Sequence, residues 1–513
     1  MNWRSRAAAA VWGCGLWTAC VAEIELHSTL QPDDTRTIQN IIDQNVGGTA
    51  RLPLGTFVVS GLRVPAHTRV TTQFGGTRIG TTLKLSPDAA PGVTTPLLFI
   101  QGSGVTIDSL TLDGDVDNQE KEGSYANGWT GRSDSAVIRI DPGPGSLHTI
   151  LIENCLFQNA RGAAIATKRD LVGLTVRENI FHALNFEGVF LDFDTSVSSN
   201  VTIADNEVLD TRDIVTQQIP PPDGFFGGNG FLVNGVSGLT FTGNTGRNLP
   251  KNLVKASNVS DGVISNNVMH TNRIPGFAGI QLDTLVTNVE VSGNLLYNIY
   301  TGVAVNSSAE TSDITITNNT IRDTLPDGRS MGIKIASERD GSVMNTTIAG
   351  NLLANVEGDA IRIGGGANAL SATGNMVIRG TASQHTGQAL RFEIDPDVAL
   401  TSLTVTRNCF LDYNGLPANN KGAIWIDNGA VGGSGVRIDN NIVQASRGRR
   451  SIYVGMSARN AVNGVIFSNQ YFGTVPVSEA PGMTFWSNER MLEPVTDPFE
   501  ECVLLLKTPY GLQ

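Results

Sequence analysis

Aromatic residues are scarce in this chain, at 6% of 513 residues, and charged residues make up only 16%. A wide core built on large rings is therefore excluded, as is a charge-rich solvated helical rod. The formal charge is −12 with no long basic run, which excludes general nucleic-acid binding. The same acidic balance disfavours a polyanionic ligand unless cations gather locally or a metal ion assists. Cysteines number five. Cys14 and Cys20 lie in an N-terminal apolar stretch, Cys155 and Cys409 lie many repeats apart, and Cys502 stands alone near the end. They are expected to be buried free thiols, with no disulfide framework or metal site among them. No later segment has the length and apolarity of a membrane span.

The N-terminal stretch has its own logic. Arg4 and Arg6 precede small and apolar residues from Ala7 to Ala22, and Cys20-Val21-Ala22 offers a cleavage point. Residues 1–22 are expected to be a signal peptide, which places the mature chain outside the cytoplasm, secreted or in the cell envelope. A lipidated Cys20 is the alternative, although Leu16 sits one place too early for it.

What is abundant is glycine, 57 residues, and a recurring asparagine. Twelve segments end in two alternating apolar residues, two small or polar ones and an Asn, at Asn154, Asn179, Asn206, Asn244, Asn267, Asn294, Asn319, Asn351, Asn375, Asn408, Asn441 and Asn469. The steps from Asn154 to Asn179, Asn179 to Asn206 and Asn244 to Asn267 are 25, 27 and 23 residues. Repeats of this size mark a solenoid. Each holds a second alternating segment midway, such as Gly188-Val189-Phe190-Leu191-Asp192 and Gly279-Ile280-Gln281-Leu282-Asp283. Alternation buries one face of a strand and exposes the other. The expected fold is all-β, a right-handed parallel β-helix of about a dozen coils stacked about 4.8 Å apart. It forms one domain from about residue 24 to 513. The asparagines are expected at sharp left-handed bends, hydrogen-bonded along the stack. Asp34 and the spacing of Ile38, Ile41 and Ile42 predict a short N-terminal capping helix. The stretch after about Gly473 breaks the repeat and is expected to cap the other end, over about 474–513.

Exposed positions of one strand line up across coils into columns. One runs through Asp141, Lys168, Asp192, Asn234, Ser257, Asp283 and Asn306. Its neighbour runs through Arg139, Ala166, Phe190, Leu232, Lys255, Gln281, Ala304, Lys334, Arg362, Arg391 and Trp425. The step from Asn206 to Asn244 is the longest and holds Pro220-Pro221-Pro222-Asp223-Gly224-Phe225-Phe226, a loop suited to walling a groove. Lys168, Asp192 and Asn234 should then be near neighbours, with Lys255 and Asp283 extending the polar strip. A lysine beside a carboxylate suits uronic-acid chemistry, where a base removes the proton next to a sugar carboxylate and cations stabilise the charge that develops. Arg169 and Lys255 would depress the lysine's pKa, and Asp192 would oppose them. The opposing reading is a solvated ladder of surface ion pairs. A glycosidase would instead pair Asp192 with Asp194 or Asp223, about 5–9.5 Å apart.

At Leu110-Thr111-Leu112-Asp113-Gly114-Asp115-Val116-Asp117-Asn118, Lys121 and Gly128-Trp129, the chain resembles the catalytic modules of secreted alginate (mannuronan) C5-epimerases, which belong with pectate-lyase-like β-helices. Ile38-Gln39-Asn40-Ile41-Ile42-Asp43 and Leu52-Pro53-Leu54-Gly55-Thr56-Phe57 resemble the opening of that wider superfamily. The generic likeness spans most of the chain and the sharper one about residues 105–195. The resemblance implies a groove lysine at Lys121 and a catalytic aspartate at Asp192. The family's Asp-Pro-His-Glu motif would fall on Ala166-Thr167-Lys168-Arg169, where this chain departs from it. A Lys/Arg pair is instead the kind of base and charge stabiliser that β-helix polysaccharide lyases use. The Asp113-Gly114-Asp115 stretch reads equally as a turn between strands.

The leading expectation is a polysaccharide lyase acting by β-elimination. Lys168 is its base. Arg169, Lys121 and Lys255 bind or neutralise carboxylates, and Asp192 orients sugar or base. Asn234, Asp283 and Asp223 contribute to substrate binding. The plentiful acidic residues leave room for a calcium ion. A glycoside hydrolase, transglycosidase or C5-epimerase on the same fold is the first alternative, and a non-catalytic carbohydrate-binding adhesin, surface or spike protein the second.

Overall fold

The structure is a computed structural model of the whole chain. It describes residues 33–490 except 77, 79, 87–94, 116–135, 142–144, 161, 168–169, 193–197, 212–227, 308, 327–329, 338–341, 379–386, 395–399, 412–422, 429–432, 445–451, 457–461, 473–476 and 479–482. The chain divides into two compact units, Met1–Pro32 and Asp33–Gln513. The expected signal peptide falls in the first, outside the described residues.

Apolar residues alternating with polar ones produce short strands, and each strand pairs in parallel with its counterpart one repeat later. Val189–Asp192, for example, is followed by Ser198–Ala204 and Glu207–Leu209, one on each of three sheets. The first sheet continues from Val189–Asp192 to Phe231–Asn234 and Val254–Ser257 without a register break. The first two sheets merge where Phe231–Thr242, Val254–Ser265 and Ile361–Thr373 run from one into the other. The third sheet has sixteen described strands, from Gly55–Val59 to Glu489–Arg490. The stack is thus a parallel β-helix, and it extends beyond the asparagine-marked repeats at both ends.

A nine-residue helix, Thr35–Asp43, buries Ile38 and Ile42 against the first coil, as its spacing predicts. Its first N–H is capped by Asp33 Oδ1 at 2.8 Å, while Asp34 turns to the Val58 N–H at 3.1 Å. At the far end, Met483–Trp486 pairs with Val462–Phe467 and Glu489–Arg490 with Gln470–Phe472. The repeat therefore continues past Gly473, and coil geometry holds through Arg490.

The asparagines hydrogen-bond along the stack as expected, but from Asn179 onward they do not occupy the bend itself. From Asn179 onward they form one buried ladder, each Nδ2 donating to the next Oδ1 at 2.8–3.1 Å through Asn206, Asn244, Asn267, Asn294, Asn319, Asn351, Asn375, Asn408, Asn441 and Asn469 to Asn488. The left-handed bend belongs to the residue before each ladder position: Glu178, Asp205, Gly243, Asn266, Gly293 and Asn318 have φ between 54° and 67°. Asn154 is itself such a bend residue, with φ 53°, and Cys155 occupies the ladder position, its N–H donating to Asn179 Oδ1 at 2.9 Å.

The interior under the first coils of interest is filled by Phe157, Phe181, Phe231 and Phe241, stacked or edge-on with centroids 5.0–5.9 Å apart. These rings stiffen the floor beneath one stretch of outer surface. The corner entering the first sheet is tight. A Cβ on Gly302 would lie 2.5 Å from Gly332 O and from Ile321 Cδ1. Gly302→Ala is expected to cost about 2–3 kcal/mol through overpacking, measured by denaturant unfolding; an unchanged midpoint would contradict the close approach.

Candidate functional site

The first sheet presents its outer face in two columns, and the predicted column from Arg139 to Trp425, the inner of the two because it lies nearer the preceding corner, is realised in full. Pairing links Arg139 to Ala166, Phe190, Leu232, Lys255, Gln281, Ala304, Lys334, Arg362, Arg391 and Trp425 in turn. In the second column Asp192 pairs with Asn234 and Asn234 with Ser257. Successive members are about 4.8 Å apart.

Two hydrogen-bonded groups lie on adjacent coils of this face. Asn258 Nδ2 donates to Asn234 Oδ1 at 2.7 Å, and Asn234 Nδ2 donates to Asp192 Oδ1 at 2.9 Å. Lys255 Nζ stands 2.7 Å from Asp283 Oδ2. Gln281 Nε2 donates to Asp283 Oδ1 at 2.9 Å and accepts from Asn252 Nδ2 at 2.8 Å. The structure thus brings Asp192 to Asn234 and Lys255 to Asp283. Lys255 shares its charge with Asp283, which narrows its reserve for neutralising anything else. Lys168, Arg169, Lys121, Asp194 and Asp223 lie outside the described residues. Lys168 directly follows Thr167, which pairs with Leu191, the residue before Asp192.

The two ends of the face differ. Ala166 and Phe190, expected to be exposed, are buried at 0% and 4% in a small apolar cluster with Ala136 and Ala163, and Leu232 packs against it. Alternation alone sets which way a side chain points, whereas burial also depends on what lies over the sheet. Farther along, Arg362 and Arg391 both bind Glu393 Oε2, at 2.8 and 2.7 Å. The Arg391 guanidinium lies 4.5 Å over the Trp425 ring and 3.5 Å from Asp359 Oδ2. Burial pushes the Asp359 carboxyl above its usual range, against the opposing pull of the Gln388 N–H and Arg391.

Polar residues missed in the sequence sit at the corner three positions before the inner column. They are Glu187, Asn229, Asn252, Asp359 and Gln388, all buried. Asn229 Nδ2 approaches Glu187 Oε1 at 3.4 Å, and the Gln388 N–H donates to Asp359 Oδ1 at 2.8 Å. They share one offset from the column because the coil repeats its corner, but bend residues carry no alternation that would have flagged them.

The Asp113-Gly114-Asp115 stretch is a corner of the third sheet. Asp113 Oδ1 accepts the Asp115 N–H at 2.8 Å, Asp115 has φ 48°, and Lys84 lies 3.1 Å from Asp115. Among the described residues, no three His, Cys, Asp or Glu side chains converge as a cation site would require. Among them, too, no helix is long and apolar enough to cross a membrane. Cys155 is a buried free thiol, pushed up to about 12 by burial. Cys409 corrects the cysteine expectation, because it is disulfide-bonded.

Residues 223–351 match the family model described as "right handed beta helix region". None of the curated proteins matches the chain. Among solved structures, the chain is similar to the pre-mature gene product 12 of bacteriophage phi29, at TM-score 0.50 and 12% identity, over 89% of this chain and 70% of that one. It is similar to the catalytic unit of a GH87 alpha-1,3-glucanase from Streptomyces thermodiastaticus, at TM-score 0.42 and 14% identity, over 71% of this chain and 64% of that unit. It is also similar to the A-module of the mannuronan C-5 epimerase AlgE4 from Azotobacter vinelandii, at TM-score 0.31 and 15% identity, over 90% and 96%. The family-model match, together with the parallel stacked strands, establishes the right-handed parallel β-helix.

Proposed function

We propose that this protein is a secreted polysaccharide lyase that cleaves a uronic-acid-containing chain by β-elimination on the outer face of its first sheet. The observation that supports it best is the placement of Asp192, Asn234, Lys255 and Asp283 on adjacent coils of one face. A regular series of donors and acceptors about 4.8 Å apart suits an extended polymer with repeating hydroxyl and carboxylate groups. Lys168 is the base that removes the proton next to the sugar carboxylate. Arg169 and Lys121 bind that carboxylate, and Asp192, steadied by Asn234, orients the sugar or the base. Lys255 and Asp283 together bind an adjoining sugar as a donor and acceptor pair, and Asp223 contributes from its loop. An epimerase working through the family motif lacks support, since its aspartate position is the buried, proton-inert Ala166. The disulfide at Cys409 agrees with an oxidising, extracytoplasmic compartment.

Incubation with alginate, pectate and neutral glucans tests the reading. We expect new ultraviolet absorbance from an unsaturated product on a uronate polymer. Reducing ends without that absorbance would make the protein a hydrolase, and binding with neither signal would make it an adhesin.

A further inference from the structure

Charge is balanced unevenly along the outer face of the first sheet. Lys255 meets Asp283 at 2.7 Å, one cation to one carboxylate. At Arg362 and Arg391, which pair on adjacent coils, two guanidiniums converge on a single carboxylate oxygen, Glu393 Oε2, at 2.8 and 2.7 Å. The other carboxyl in reach, Asp359, is 6% exposed, and burial disfavours its charged form. Cations therefore outnumber ionised carboxylates here, in a chain whose formal charge is −12. The group is also well held. The Arg391 guanidinium lies 4.5 Å over the Trp425 ring and 3.5 Å from Asp359 Oδ2, and Asp359 Oδ1 is fixed by the Gln388 N–H at 2.8 Å. Yet it is open to solvent, with the Arg362 and Glu393 side chains 34% and 43% exposed. Glu393 engages only Nη2 of Arg362, so the rest of that fork of donors is left over.

We infer that Arg362 and Arg391 form a carboxylate-binding subsite for a distal uronate sugar of a polymer lying along this face. The inference rests on the reading of the face as a polyuronate groove, and it extends that reading. Pairing runs from Lys255 through Gln281, Ala304 and Lys334 to Arg362 and Arg391. The subsite thus lies four to five coils, about 19–24 Å, from the Lys255–Asp283 pair. A guanidinium takes a carboxylate through two parallel N–H···O bonds, and Arg391, already held by its neighbours, loses little freedom in doing so. Glu393 has two effects. It orients both guanidiniums, and it competes with an incoming carboxylate, so it holds the affinity down. A polymer long enough to reach both Lys255 and Arg362 is gripped at two points at once, which favours long chains over short ones.

Calorimetric titration of the full-length protein with alginate and with pectate, at low ionic strength, tests the subsite. Arg362→Ala should weaken binding of the polymer that wild type prefers by roughly ten-fold, the loss of one charge-assisted contact. Glu393→Gln should tighten it by about three-fold, since a competing charge has left an exposed rim. An ion pair that serves folding alone predicts no such gain, and melting curves confirm that both variants are folded. Wild-type affinity in Arg362→Ala, no tightening in Glu393→Gln, or no binding of either polymer by wild type would overturn the inference. Elimination activity together with unaltered affinity in Arg362→Ala would sink the subsite and leave the lyase standing. The opposite shifts of the two variants, in a protein that releases no unsaturated product, would sink the lyase and leave the subsite standing.

Discussion

Asn294→Ala should destabilise the protein by about 3–6 kcal/mol, because the asparagine ladder has no substitute for a missing rung. Asn294 is 1% exposed. Its Nδ2 donates to Ile264 O at 3.0 Å, Ser292 O at 3.1 Å and Asn319 Oδ1 at 2.8 Å, and its Oδ1 accepts from the Asn267 N–H and Nδ2, both at 2.9 Å. Alanine removes all of these at once. It strands two buried donors on Asn267 and a carbonyl of Ile264, each worth about 1–3 kcal/mol when left unpaired in a dry interior. Asp at the same position keeps the acceptor but loses the donors and buries a charge, so it should do no better. Asn488, at the last described rung and half-buried, should tolerate alanine at a cost nearer 1 kcal/mol. Urea or thermal unfolding of the three variants checks the order. Equal, small losses at 294 and 488 would mean that the ladder does not carry the stack.

The ladder also shows where the sequence was legible. The outer columns followed from alternation, since a strand's period of two leaves only one register that keeps the apolar face inside. Every step of the inner column from Arg139 to Trp425 is realised for that reason. The asparagine signal was legible as a repeat but ambiguous by one residue. At Asn266-Asn267, Asn318-Asn319 and Asn440-Asn441 two asparagines stand together, the first bent and the second in the ladder. At Asn154 the bend residue is Asn and the ladder residue is Cys155, so residue type alone misplaces the rung. Asn488 was missed because it comes only 19 residues after Asn469, a shorter repeat than the others. The corner carboxyls Glu187 and Asp359 were not legible. They occupy a bend, where neither strand alternation nor helical spacing applies, and their partners come from other coils. The burial of Phe190 and Cys409 was hidden for a different reason. A strand pattern specifies which way a side chain faces, whereas burial also depends on what packs over the sheet.

Lys168→Ala should lower the rate of β-elimination by about 10²–10⁴-fold, the usual contribution of a positioned general base, with little change in thermal stability. The variant removes the group assigned to take the proton while leaving the Asn234–Asp192 hydrogen bond of 2.9 Å in place. A neutral lysine is the reactive form, so the wild-type rate should climb with pH until that lysine is deprotonated, and the climb should vanish in the variant. Asp192→Asn serves as the companion. The amide is isosteric, and its Oδ1 still accepts from Asn234, so the geometry survives and only the negative charge is lost. If Asp192 orients the sugar or the base, activity should fall about ten- to a hundred-fold, with the pH climb retained. Asp192→Ala should fall further, since it also leaves Asn234 without its acceptor and loosens the Asn258–Asn234 contact of 2.7 Å. Rates are compared by ultraviolet absorbance on the same uronate polymer, with melting curves as the control for folding. Full elimination activity in Lys168→Ala would remove that residue as the base, and equal losses in Asp192→Asn and Asp192→Ala would assign Asp192 to charge and not to position.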